Sequence, residues 1–77
     1  MKLYWVSLLI QSTEHSKPWL CAMSNGCTSF EEAMETIKRM RKNFRVLSAW
    51  IDTFDDNINK TTVFHECYVN VIGNIEN

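Results

Sequence analysis

The sequence predicts an α+β fold, β-β-α-β-β, with a four-stranded antiparallel sheet in order 2-1-3-4 and one helix packed on one face. Three observations carry that expectation. Residues 2–11 are apolar almost throughout, residues 30–44 place apolar side chains at helical spacing behind a doubled capping signal, and residues 46–72 alternate in two runs around a polar turn.

Residues 2–11 include Tyr4, Trp5 and Val6, which favour extended backbone, and the unbroken apolar character suits a central strand buried on both faces. A polar loop, residues 12–17, follows. Pro18 is tolerated at the first position of a strand, so a second short strand spans residues 19–24 and stops at the turn Ser24-Asn25-Gly26.

Thr28 and Ser29 are both suitable helix N-caps, each with a glutamate three residues later, Glu31 or Glu32. Phe30, Ala33, Met34, Ile37, Met40 or Arg41, and Phe44 then form one apolar stripe. Early glutamates and late basic residues complement the helix dipole, and Asn43 starts the exit.

The third strand spans residues 46–54 and the fourth 61–72, joined by Asp55-Asp56-Asn57-Ile58-Asn59-Lys60. Odd positions Leu47, Ala49, Ile51, Val63, Val69 and Val71 are aliphatic; even positions bring Trp50, Phe54, Phe64 and Tyr68 among Ser48, Asp52, Glu66 and Asn70. Keeping odd opposite odd requires paired residue numbers with an even sum. A sum of 118 would oppose Asp52 and Glu66, so 116 is expected, pairing Trp50 with Glu66 and Asp52 with Phe64. Strand order 1-2-4-3 satisfies the same directions but leaves the apolar first strand at an edge, which disfavours it.

The 77 residues make a single domain with a thin core, which disulfides, a metal or self-association often supplement. With 45% hydrophobic and 22% charged residues and a net charge of −1, the chain has the composition of a folded domain without a strong polyanion-binding field. Three cysteines, Cys21, Cys27 and Cys67, are an odd set that fits a reducing compartment. The apolar start lacks a small-x-small cleavage site and falls short of the ~20 apolar residues of a membrane span, so it reads as a buried strand of a cytoplasmic protein with no membrane partner.

A four-stranded sheet is roughly 19 Å wide and a helix only about 10–12 Å, so one helix leaves a face uncovered. With Tyr4, Val6, Leu8, Ile10, Leu20 and Ala22 turned to the helix, Trp5, Leu9, Trp19, Cys21 and Met23 lie opposite. The expected interaction surface is therefore Trp5, Trp19, Met23, Trp50, Asp52, Phe54, Phe64, Glu66 and Tyr68, with all three tryptophans on it. Such a surface suits a homodimer or contact with another protein.

Aromatic sheets also stack nucleic-acid bases, but the acids Asp52 and Glu66 fall on this face, whereas Lys38, Arg39, Arg41, Lys42 and Arg45 gather at the helix end. That separation argues against nucleic acid on the sheet and leaves, as a lesser alternative, a nucleic-acid-binding domain that uses this basic end of the helix. His65 and Cys67 are expected on the aliphatic, helix-facing side and no C-x-x-C pair occurs, so no metal site is expected. No catalytic constellation or phosphate-cradling loop is present in the sequence, hence no enzymatic activity and no cofactor. In size and texture the chain is similar to the small accessory proteins of phages and conjugative elements of bacteria. That resemblance implies an inhibitor or accessory protein that acts by binding a partner.

Overall fold

A computed structural model describes residues 2–12, 16–23, 25–55 and 59–68. It contains β1 (Tyr4–Ile10), β2 (Trp19–Ala22), α1 (Phe30–Asn43), β3 (Val46–Asp55) and β4 (Asn59–Cys67). The strands form one antiparallel sheet in the order β2-β1-β3-β4, as the sequence predicts. No helix among the described residues is long and apolar enough to cross a membrane. Residues 69–72 of the expected fourth strand, Ile58 at the turn, and His15 and Ser24 lie outside the described residues.

Of the two expected caps, Ser29 is the N-cap, and Thr28 instead binds the Glu32 side chain rather than pairing with Glu31. The Glu32 backbone N–H donates to Ser29 Oγ (3.1 Å), and the Glu32 carboxylate accepts from the Thr28 hydroxyl (2.8 Å) and, at 3.3 Å, from its backbone N–H. Ala33, Thr36 and Ile37 are the buried residues of α1, with Phe30, Met34 and Met40 packed at the margin. Thr36 interrupts the apolar stripe without an unmet hydroxyl, because its Oγ1 donates to Glu32 O at 2.9 Å. Phe44 caps the helix in extended conformation and is half exposed, so the stripe ends before it.

Beneath the helix, β1 presents Val6, Leu8 and Ile10 and β3 presents Val46, Ala49 and Ile51, all buried. The even positions of β1 and the odd positions Ala49 and Ile51 of β3 thus face the helix as expected. Leu47 does not. A bulge between Leu9 and Ile10 in the β1–β3 ladder makes Leu47 the extra residue and turns Val46 into the core.

All of β2, and β4 beyond a bulge at Val63, have the opposite parity to the one expected. In the β1–β2 ladder Leu8 pairs with Cys21 and Ile10 with Trp19, so Cys21 and Trp19 project on the helix side and Leu20 and Ala22 on the open side. A one-residue slip turns over a whole strand. This register brings Cys21 and Met23 to the core margin, where sulfur side chains fill irregular gaps, and leaves Leu20 65% exposed.

In the β3–β4 ladder the sum is 115, not 116. Ala49 opposes Glu66, Trp50 opposes His65 and Ile51 opposes Phe64; a bulge at Val63 then shifts the register so that Asp52 opposes Thr62. Phe64, Glu66 and Tyr68 therefore lie on the helix side. The physical reason is ring packing, since Phe64 meets Phe30 edge-on (centroids 6.4 Å apart), Phe30 meets Tyr4 likewise (6.1 Å), and the Arg41 guanidinium sits 3.7 Å from the Tyr68 ring centre. These rings widen the layer that one helix can cover.

Two consequences are measurable. Thr53 is 2% exposed and its Oγ1 is buried without a hydrogen-bond partner. A buried hydroxyl left unpaired costs about 1–3 kcal/mol, so Thr53→Val, which keeps the shape, is expected to stabilise the fold by ~1 kcal/mol. A urea midpoint that rises with an unchanged slope would show it; a fall would mean the hydroxyl has a partner in solution.

Tyr68 has its phenol raised above 10.0, first by burial and then by Glu66, with Arg41 opposing. The folded chain holds this proton more tightly than the unfolded one, so this contribution is complete below pH ~10 and is lost as pH rises beyond it. Stability measured by urea at a series of alkaline pH values is expected to fall less steeply for Tyr68→Phe than for the parent. Parallel curves would remove Tyr68 from the alkaline transition.

Candidate interaction surface

The face turned away from α1 is built by odd residues of β1 and even residues of β2 and β3, met by Lys60, Thr62, His65 and Cys67 of β4. An open groove of ≈ 370 Å³ crosses it, lined by Leu20, Ser7, Trp50, Asp52, Lys60 and Thr62. Those six residues come from all four strands, so the groove runs across the sheet rather than along one strand.

Asp52 forms part of its floor. The side chain is only 9% exposed, and Oδ1 accepts a 2.6 Å hydrogen bond from Thr62 Oγ1 across the strand pair. The bulge at Val63 makes this bond possible by setting Thr62, rather than Val63, opposite Asp52. The next pair along the open face is Trp50 and His65, whose rings stack with centroids 4.8 Å apart and planes 5° from parallel. His65 Nε2 lies 3.5 Å from Cys67 Sγ, which in turn accepts from Ser48 Oγ at 3.5 Å.

Trp5 also belongs to this face but is partly covered by the segment after β2. A β-carbon on Gly26 would fall 3.0 Å from Leu3 Cβ and 3.2 Å from the Trp5 ring, so the absent side chain lets the backbone lie against both. Phe54, 40% exposed, pairs with Lys60 at the hairpin end of the face.

Among the expected surface residues, Trp5, Trp50, Asp52 and Phe54 are thus brought together on the open side. Trp19, Met23, Phe64, Glu66 and Tyr68 are not. Trp19 stands on the helix side of the β2 edge, 47% exposed, while Met23, Phe64 and Tyr68 pack against the core. Two of the three tryptophans share the open face, not all three. His65 and Cys67, expected beneath the helix, are exposed on the open side instead, because the odd register sum reverses β4.

Leu20, His65 and Cys67 are the open-face residues that sequence parity missed, while Thr62 and Lys60 keep the even parity of that face. A cross-strand stack between Trp50 and His65 was the available signal for the register; it competes with an acid opposite a tryptophan, the weaker pair.

Comparison with protein-family models, curated proteins and solved structures found no match for this chain. The surface alone carries the functional argument. At the helix end, the basic residues are partly engaged. Arg41 lies over Tyr68, Arg45 Nε donates to Gln11 Oε1 at 3.3 Å, and Lys38 reaches Glu35 at 3.9 Å. Lys38, Arg39 and Lys42 share a surface depression with Glu35, so a carboxylate sits within the basic patch. Their separation from the stacked rings persists, since they occupy the helix side of the sheet.

Proposed function

We propose that this chain is a small non-enzymatic protein-interaction module that self-associates through the open face of its sheet. The observation that carries the reading is the groove, which joins apolar walls from Leu20 and Trp50 to one carboxylate, Asp52, and one ammonium, Lys60. A surface bearing both signs is complementary to its own copy across a twofold axis, where each Lys60 approaches the other chain's Asp52. A net charge of −1 leaves little repulsion between two copies. Pairing would also cover Leu20 and Phe54, two large apolar side chains that the chain leaves exposed. A cytoplasmic setting suits three unpaired thiols.

Sedimentation velocity over a range of protein concentrations tests the reading. The parent chain is expected to be a dimer that dissociates on Leu20→Asp or Trp50→Ala, with Leu20→Asp matching the urea midpoint of the parent when both are diluted to monomers, because that side chain is 65% exposed. A parent that is monomeric throughout the range sinks self-association and leaves a different protein as the occupant of the groove. Such a partner would fit an inhibitor or accessory protein of a phage or mobile element.

A further inference from the structure

We infer that His65 and Cys67 are half of a tetrahedral site for a divalent, thiolate-preferring metal ion of the Zn²⁺ class, completed by the same pair from a second copy of the chain. The second pair of ligands rests on the self-association proposed above; the first pair is a matter of geometry within one chain.

Residues two apart on a strand project to the same side, and here both are exposed on the open face of an edge strand. Zinc holds a thiolate at about 2.3 Å and an imidazole nitrogen at ~2.0–2.1 Å; at the tetrahedral angle those two donor atoms lie about 3.5–3.6 Å apart. Cys67 Sγ and His65 Nε2 lie 3.5 Å apart. The spacing that a tetrahedral ion demands of two ligands is therefore present without a change of backbone or rotamer.

Two further contacts hold the pair in place. The Trp50 ring, stacked 5° from parallel on His65, fixes the imidazole plane, and the Ser48 hydroxyl donates to Cys67 Sγ, a bond that a thiolate accepts more strongly than a thiol. Supporting contacts of this kind orient metal ligands. Zinc binding would displace the Cys67 thiol proton to solvent, and two thiolates from two chains would balance the charge of one divalent ion.

Among the described residues, no three metal-ligating side chains of one chain come together. Two ligands leave half of a tetrahedron open. A twofold axis passing beside the pair supplies the other half with the same chemistry, giving a Cys₂His₂ set from two identical faces. The ion would then lie within the surface proposed for self-association and lock its register.

The test is a titration of the reduced full chain with Co²⁺, followed by displacement with Zn²⁺. Expected are the thiolate-to-cobalt charge-transfer band and the intense visible bands of tetrahedral cobalt, saturating at one ion per two chains. Both are lost in His65→Ala and in Cys67→Ser, and also when iodoacetamide blocks the exposed thiol of the unsubstituted native protein. Zinc should tighten the dimer by roughly 5–150-fold, the usual range for two coupled binding events. No band, the weak spectrum of octahedral cobalt, a stoichiometry of one ion per chain, or binding that survives Cys67→Ser would each overturn the inference.

Sedimentation in EDTA separates this outcome from that of the self-association itself. A dimer in EDTA that takes up no metal overturns the metal site and leaves the apolar pairing standing. A monomer in EDTA that pairs only on adding zinc supports the metal site and overturns pairing through the groove alone.

Discussion

Leu8→Ala is expected to lower stability by about 3–5 kcal/mol, enough to unfold much of the protein at physiological temperature. Leu8 has no exposed surface and sits at the middle of β1, paired with Ala49 on one side and Cys21 on the other. Both neighbours are small. Neither can extend into the space the leucine leaves, so the cavity term is added to the lost transfer energy of the removed carbons. A domain of 77 residues has on the order of 4–12 kcal/mol of total stability, so one substitution removes a large share. The melting temperature should fall by about 15 °C or more. A fall of less than ~5 °C would mean that the helix closes onto the sheet and fills the cavity, contrary to a layer held by the strand pairs around Ala49. Leu20→Ala, on the same sheet but 65% exposed, is the control and should change the stability of the diluted monomer by no more than about 0.5 kcal/mol.

Phe64→Ala is expected to cost about 2–3 kcal/mol of stability while leaving the association state of the folded protein unchanged. Sequence parity places Phe64 on the open face, where its loss would dissociate a dimer and leave folding intact. The structure reverses both outcomes. Phe64 pairs with Ile51 and packs edge-on against Phe30, which packs edge-on against Tyr4, so a strand, the helix and another strand meet at three rings. Phe64 is half-buried, which sets its value below that of a fully buried phenylalanine, and the edge-on contact adds about 0.5–1.5 kcal/mol. Urea denaturation gives the first quantity and sedimentation at low urea the second. Loss of the dimer with an unchanged midpoint would restore the even register.

The hairpin shows why local pattern stops short of the site. Along β3, even positions Ser48, Trp50, Asp52 and Phe54 are on the open side, as alternation within one strand requires. Along β4, the same alternation leaves two choices. Val63, Val69 and Val71 make the odd set look like core, but Val63 is the extra residue of a bulge and is 43% exposed. The even set, Phe64 and Tyr68, looks like a surface only when each strand is judged by aliphatic content. Beneath α1 those rings fit against Phe30 and Arg41, contacts that come from a helix some 30 residues away in sequence.

The same holds for β2. Trp19 attracts attention as an interface residue and Leu20 does not, yet the register with β1 gives Leu20 to the groove and Trp19 to the opposite side. Short edge strands are paired on one side only, and a slip by one residue leaves their backbone hydrogen bonds nearly as good. Burial of a few side chains then selects the register.

Element identity, chain order and the inward faces of β1 and β3 follow from local chemistry. Apolar runs, helical spacing and the Ser29 cap act within a few residues, and direction rules leave few sheet orders. The outward identity of the sheet follows from long-range packing. Two odd registers turn Phe64 and Tyr68 under the helix and bring His65, Cys67 and Leu20 to the open face, and two bulges turn Val46 into the core and keep Lys60 and Thr62 outside, because the helix can cover only those rings that lie directly beneath it.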